Sequence, residues 1–291
     1  MAMRNAKCVM RNELVPSPQS PVPKVAASDF DGTLFRERDI SATDLAAIKS
    51  WRAAGNKFGI VTGRCFQMLT AHLGDFDLTL DFAICDNGAI IFDGAGKTLF
   101  ETELPPKLLL ELMNEPFMQQ KSLHFLFEAA DEVFCVGVKE NSWVMREKNL
   151  WEFFLTFITA AQAENLPKKI NQMALGFETP EEAQFAADFL NSKYGEQIYA
   201  QRNTHSLDIV PAGINKGAGV AKLLELTNWR GEVFVIGDEA NDLPMIKRFG
   251  GYTVATAKDF VKQEAIKVFD SVGAMLNHFG VAACRDESNL Y

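Results

Sequence analysis

VAASDFDGTLF, residues 25–35, opens with small and apolar residues and runs directly into Asp29, Phe30, Asp31, Gly32 and Thr33. The apolar part reads as a buried strand, and the strand ends on two carboxylates two residues apart. Two ionised carboxylates about 4 Å apart repel by roughly 4 kcal/mol at an effective dielectric near 20. Something must offset that repulsion, and a bound cation is the simplest candidate.

Three further apolar runs also end in polar or glycine-bearing turns: KFGIVTG (57–63), FAICDNG (82–88) and EVFVIGD (232–238). Continuous apolar strands of this kind suit a parallel sheet covered on both faces. Helical patterns separate them. SATDLAAIKSWRAAG (41–55) offers Ser41 or Thr43 as a cap and stops at Gly55, and GAGVAKLLELTNW (217–229) sets Val220, Leu223 and Leu224 on one face. NDLPMIKRFG (241–250) starts polar and stops at glycine. Strands alternating with helices predict an α/β fold, a doubly wound Rossmann-like parallel sheet core.

Between residues 92 and 204 the pattern changes. A hairpin reads from GAIIF to KTLFETEL, a helix at PPKLLLELMNEPFM, and an antiparallel pair at LHFLFEA and EVFCVGV. A helix at NLWEFFLTFITAAQA, a strand near INQMALGFE, a helix at TPEEAQFAADFLNSKY capped by Thr179, and QIYAQRN complete the segment. The expected organisation is an extension at 1–24, a discontinuous core at 25–91 and 205–291, and an inserted α/β cap domain at 92–204. Residues 1–24, with SPQSPVPK and no apolar signal segment, read as a disordered extension.

Four polar clusters fall at the carboxyl ends of the predicted core strands, where open α/β sheets bind ligands. They are Asp29–Thr33, Thr62–Gly63–Arg64, Asn215–Lys216–Gly217 and Gly237–Asp242. Any one could be a simple turn; all four in this order are hard to explain so. Carboxylates from different strands supply hard oxygen ligands, which suit magnesium rather than zinc. Asp29 can serve as nucleophile and metal ligand, since aspartate forms acyl phosphates. Asp31 can act as general acid and then base. Gly32 leaves backbone N–H groups open to an anion. The Thr62–Gly63 turn and the Lys216 ammonium would hold the other phosphoryl oxygens, and phosphoryl transfer asks mainly for such positioning and charge.

DFDGTL, IVTGR, INKG and GDEANDLPM resemble, in order and spacing, the signature motifs of the haloacid dehalogenase superfamily, and more closely its Cof-type phosphatases with a large α/β cap. The resemblance covers roughly residues 24–280. It implies Asp29 as phosphorylated nucleophile, Asp31 as acid/base and, through its backbone carbonyl, a metal ligand. It further implies Thr62 and Lys216 as phosphate binders, Asp238 as magnesium ligand, Asn241 on phosphate, and Asp242 as support for the metal or Lys216. Two places depart from the pattern: Glu239 stands where a small residue is usual, and GYTVATAKDF replaces a glycine–asparagine–alanine turn.

The activity so implied is hydrolysis of small phosphorylated metabolites, sugar phosphates first, with magnesium. Alternatives are a phosphomutase, which needs a second phosphate site in the cap, and a non-catalytic sugar-phosphate sensor. Candidate substrate contacts are Asn87, otherwise a turn residue, and one of Arg202 and His205 at the return from the cap. Arg64 reads as structural, His124 as a core histidine, Phe153 and Phe154 as core. The net charge of −9 without a dense basic face speaks against a nucleic-acid partner. No apolar run is long enough for a membrane. Five scattered cysteines, Cys8, Cys65, Cys85, Cys135 and Cys284, without a C-x-x-C pair fit a reducing cytoplasm. A monomer or weak homodimer is expected.

Overall fold

A computed structural model describes residues 22–146 and 154–280. Residues 1–21, with most of the expected extension and Cys8, lie outside this set, as do Phe153 and Cys284. The core strands are β1 (Val25–Ser28), β2 (Lys57–Val61), β3 (Phe82–Cys85), β4 (Ile90–Asp93) and β5 (Thr98–Glu101). Helices α1 (Ala42–Ala53) and α2 (Phe66–Leu73) alternate with the first three. The cap follows with α3 (Pro106–Met113), α4 (Pro116–Lys121), β6 (His124–Glu128), β7 (Val133–Val136) and α5 (Trp143–Arg146). It continues through β8 (Leu155–Phe157), α6 (Ala160–Ala163), β9 (Gln172–Gly176), α7 (Pro180–Tyr194), β10 (Ile198–Asn203) and β11 (Ser206–Pro211). The core resumes with α8 (Lys216–Leu226), β12 (Val233–Gly237), α9 (Leu243–Phe249), β13 (Tyr252–Val254), α10 (Asp259–Glu264), β14 (Val268–Phe269) and α11 (Val272–Gly280).

The eight-stranded sheet has the order β14-β13-β12-β1-β2-β3-β4-β5. The strands from β14 to β3 run parallel, and β4 and β5 add an antiparallel edge. Strand alternation splits β1 between two cores. Ala26 joins Ile48, Trp51 and Met275 from α1 and α11, whereas Val25 and Ala27 join Val220, Leu223 and Met245 from α8 and α9. Helices therefore cover both faces, as expected of a doubly wound sheet.

The second sheet has six strands, β10-β11-β9-β6-β7-β8. Phe125, Phe127, Met173 and Leu175 face α3 and α7, while Leu126 and Ala174 pack with Cys65 and Met68 of the core. Helices thus cover one face, and the other looks onto the carboxyl ends of the core strands.

Several boundaries differ from the sequence reading. The hairpin β4–β5 belongs to the core sheet, so the chain leaves the core after residue 101, not 91. Ser206–Pro211 pairs with β9 and β10, so the return comes after residue 211, not 204. Lys24 is already held, its N–H donating to Asn56 Oδ1 at 2.9 Å and its ammonium to the Phe279 carbonyl at 3.0 Å. The helix expected at PPKLLLELMNEPFM breaks in two, because a residue before proline avoids the helical region and Glu115 sits at ψ 127°. Part of the helix expected at NLWEFFLTFITAAQA is the strand β8, paired parallel to β7; its residues 149–153 lie outside the described set. A short aromatic-rich run suits either state, and here the open edge of β7 decides.

Candidate active site

Asp29 follows the last residue of β1, where the parallel strands stop, and is 4 % exposed. The Lys216 ammonium, 1 % exposed at the first turn of α8, donates to Asp29 Oδ1 and Asp242 Oδ1, each at 2.6 Å. Asn215 caps that helix by accepting from the Ala218 N–H, which fixes where Lys216 begins its reach. The other oxygen of Asp242 accepts from the backbone N–H groups of Asp238 and Glu239 at 2.9 and 3.0 Å. Both oxygens of Asp242 are therefore engaged, and it supports Lys216 and the loop after β12.

Carboxylate oxygens of Asp29, Asp238 and Asp242 come within 4.8 Å of one another. Thr33, missed at sequence level, donates its hydroxyl to Asp238 Oδ1 at 2.5 Å and orients it. Gly32 has φ 80°, and a Cβ there would lie 2.4 Å from Asp238 Oδ2, so glycine is what lets the DFDGT turn close on Asp238. Burial pushes the Asp29 carboxyl well above the usual carboxylate range; Asp242 adds to this, Lys216 opposes it, and Asp238 and Asp31 add again. Burial alone would lower the Lys216 pKa, but Asp242 and Asp29 outweigh it and hold it above the ordinary lysine value. Asp238 is raised by burial, with the Thr33 hydroxyl opposing and Asp242 adding. One lysine does not neutralise these acids. An all-oxygen donor set short of positive charge fits a hard divalent cation.

A cavity of about 450 Å³ opens over this floor between core and cap. Asp29, Asp31, Thr62, Gly63, Asp238 and Asn241 all line it. Lys216 reaches it from beneath, through Asp29. Thr62 is 1 % exposed, and its hydroxyl accepts the Arg64 N–H at 3.1 Å. Asp31 stands at the mouth with half its side chain exposed, gripped by Arg64 Nε and Nη2, each at 2.7 Å. Arg64 also lies 2.9 Å from His72 Nδ1 and stacks on the Phe30 ring at 5.2 Å. It thus has a definite place in the site beyond the structural role first read for it.

Glu239 accepts the Ala240 N–H at 3.0 Å and pairs with Lys258 at 2.5 Å, which leaves it a loop-fixing role. Asn87, read first as a turn residue, is buried in the left-handed region with φ 52° and joins the two layers. Its amide N–H groups go to Gln172 Oε1 at 2.9 Å and Asp208 Oδ2 at 3.0 Å, and its Oδ1 accepts from Asn241 Nδ2 at 3.3 Å. Arg202 and His205 do not line the cavity. Arg202 pairs across the sheet with Leu207, on the helix-packed face, and donates to Gln184 of α7 at 3.0 Å. The cavity face of this hairpin carries Asn203, Ser206 and Asp208 instead.

Glu128, Gln172 and Asp208 were missed, because a lone polar residue on a strand reads as solvated surface. His124 is a core histidine, bonded to Ser142 Oγ at 2.8 Å and pushed down to about 3 by burial. Cys65, Cys85 and Cys135 are buried free thiols, and burial raises all three. No helix among the described residues is long and apolar enough to cross a membrane.

Comparison with known proteins agrees with this geometry. Residues 26–274 match the family described as haloacid dehalogenase-like hydrolase. An HMP-PP phosphatase of Yersinia pseudotuberculosis serotype O:1b is 27% identical over 247 residues, covering 83% of this chain and 87% of its own. A HAD/COF-like hydrolase from Plasmodium vivax superposes with a TM-score of 0.74 at 21% identity, covering 87% of this chain and 94% of that one. A subclass IIB sugar phosphatase of the same superfamily gives a TM-score of 0.72 at 23% identity, covering 89% of this chain and all of that one. With the four motifs gathered at one cavity and the family matched across most of the sequence, the chain belongs to the haloacid dehalogenase-like hydrolases.

Proposed function

We propose that this protein hydrolyses small phosphomonoesters, sugar phosphates foremost, with magnesium and through a phosphorylated Asp29. The observation that carries the reading is the Lys216 ammonium, 2.6 Å from both Asp29 and Asp242, on the floor of a cavity also lined by Asp31 and Asp238. Lys216 takes one oxygen of Asp29 and leaves the other for attack. Asp29 and Asp238 would hold the cation through their carboxylates, with Asp31 contributing its backbone carbonyl. Magnesium, when bound, supplies positive charge against the phosphoryl oxygens and the carboxylates around them.

Asp29 attacks phosphorus in line, the ester bond breaks, and the leaving alcohol takes a proton from Asp31. Asp31 then removes a proton from water, which attacks the acyl phosphate and frees Asp29 and inorganic phosphate. Thr62, Gly63 and Asn241 position the phosphoryl oxygens. The Yersinia relatives named for HMP-PP and the neighbour named for sugar phosphates support small phosphorylated metabolites as the class.

The test is phosphate release from a panel of such metabolites, with magnesium and with chelator. Magnesium-dependent release is expected from at least one, with Asp29→Asn lowering kcat by about a thousandfold or more. Undiminished turnover by Asp29→Asn would overturn the nucleophile assignment.

A further inference from the structure

On the cap wall of the cavity the carboxyls of Glu128 and Asp208 draw on the side-chain amides around them. Gln172 spends one amide N–H on the Gly63 carbonyl and the other on Glu128 Oε2, both at 2.8 Å. Asn87 spends both of its own on Gln172 and Asp208, and Asn203 bonds Asp208 as well. The buried carboxyl of Glu128 lines the cavity with Asp86 buried near it, and burial pushes both acids well above the usual carboxylate range. Asp208, 8 % exposed, is the third acid of this group and also lines the cavity. Among the described residues lining the cavity, Arg64 is the one cation; its Nε and Nη2 donate to Asp31 and its Nη1 lies 2.9 Å from His72 Nδ1.

We propose that Asp208, backed by the Asp86–Glu128 pair, is a specificity determinant that admits uncharged or cationic, donor-bearing leaving groups and rejects a second anion. The inference rests on the phosphatase reading and deepens it. A hydroxyl or ammonium group supplies the hydrogen bonds that this wall accepts. Among the described residues, a distant phosphate or carboxylate meets the carboxyl groups of Asp208 and Glu128 and no cation other than Arg64. Among the described residues, the same wall offers no lysine or arginine other than Arg64 to the second phosphate that a phosphomutase requires.

The experiment compares two six-carbon 6-phosphates of opposite remote charge, glucosamine 6-phosphate and 6-phosphogluconate, at pH 7.5 with magnesium. p-Nitrophenyl phosphate serves as the probe of the chemistry alone. Wild-type kcat/KM should favour the amine by at least about thirtyfold, the factor that one like charge roughly 8 Å away contributes at an effective dielectric near 20, with the attraction for the amine adding to it. Asp208→Asn should narrow that ratio by about tenfold or more. Equal rates in the wild type, with p-nitrophenyl phosphate hydrolysed, overturn the inference and leave the phosphatase reading standing. An unchanged ratio in folded Asp208→Asn also overturns it. No magnesium-dependent hydrolysis of p-nitrophenyl phosphate or either sugar overturns both.

Discussion

Removing the Lys216 ammonium leaves Asp29 and Asp242 buried without a counter-charge. Breaking a buried ion pair from one side costs on the order of 3–5 kcal/mol, so Lys216→Ala should lose about that much in urea unfolding, besides activity. A loss below about 1 kcal/mol would mean that water or a proton replaces the ammonium. Gly32→Ala sets a Cβ against Asp238 and forces an unfavourable backbone. Magnesium affinity, read by activation curves, should weaken at least about tenfold, because outer contacts that orient a ligand carry effects of that size. Unchanged affinity would show that Asp238 does not hold the cation. At this scale the sequence was informative wherever chemistry needs a local motif: Asp29, Asp31, Thr62, Lys216 and Asp238 each sit in one. Asp208, Glu128 and Gln172 do not, since their meaning arises only when two distant strands and a turn meet.

Helix ends carried the same contrast. Of the two caps the sequence offered, Ser41 and Thr43, it is Ser41 that caps α1, accepting the Asp44 N–H at 3.1 Å. Asp44 itself was invisible: fully buried, it accepts from the Ser271 hydroxyl and the Gly273 N–H, each at 2.6 Å, and from Arg36 at 3.2 Å. It ties the start of α1 to the start of α11, which are far apart in sequence. Asp44→Ala should cost about 3 kcal/mol, seen as a lower urea midpoint with the slope unchanged. Thr179, which caps α7 by accepting the Glu182 N–H at 3.2 Å, should cost about 1 kcal/mol when changed to Ala. Equal losses from the two variants would show that the tether is no more than another cap. Proline and glycine punctuated most helices legibly. β8 escaped because its pairing partner, not its own pattern, makes it a strand.

Across the whole molecule, the three buried acids between core and cap make stability depend on pH. Burial raises Asp208 to about 6, with the Asn87 amide opposing. Burial lifts Asp86 and Glu128 in the same direction. A raised acid favours the fold while protonated, so its contribution is whole below about pH 4 and fades as pH climbs through about 6. The stability of Asp208→Asn relative to wild type should therefore rise across that window, by up to about 3 kcal/mol. A difference that stays flat between pH 4 and 7 would sink the assignment. The parallel core was legible because its strands are apolar throughout. The exact seams of the insertion were not, since β4, β5 and β11 look alike in sequence whichever sheet receives them.

Among the described residues the backbone passes between the two sheets twice, after Glu101 and after Pro211. Two pins define a line, and a body held on two pins turns about that line like a door instead of drifting like a tethered float. The second pin, with Gly213 at φ 81° in open space, runs straight into Lys216. Any swing of the upper layer is thereby delivered as torque to the first turn of α8, and the hand that steadies the nucleophile moves with the door.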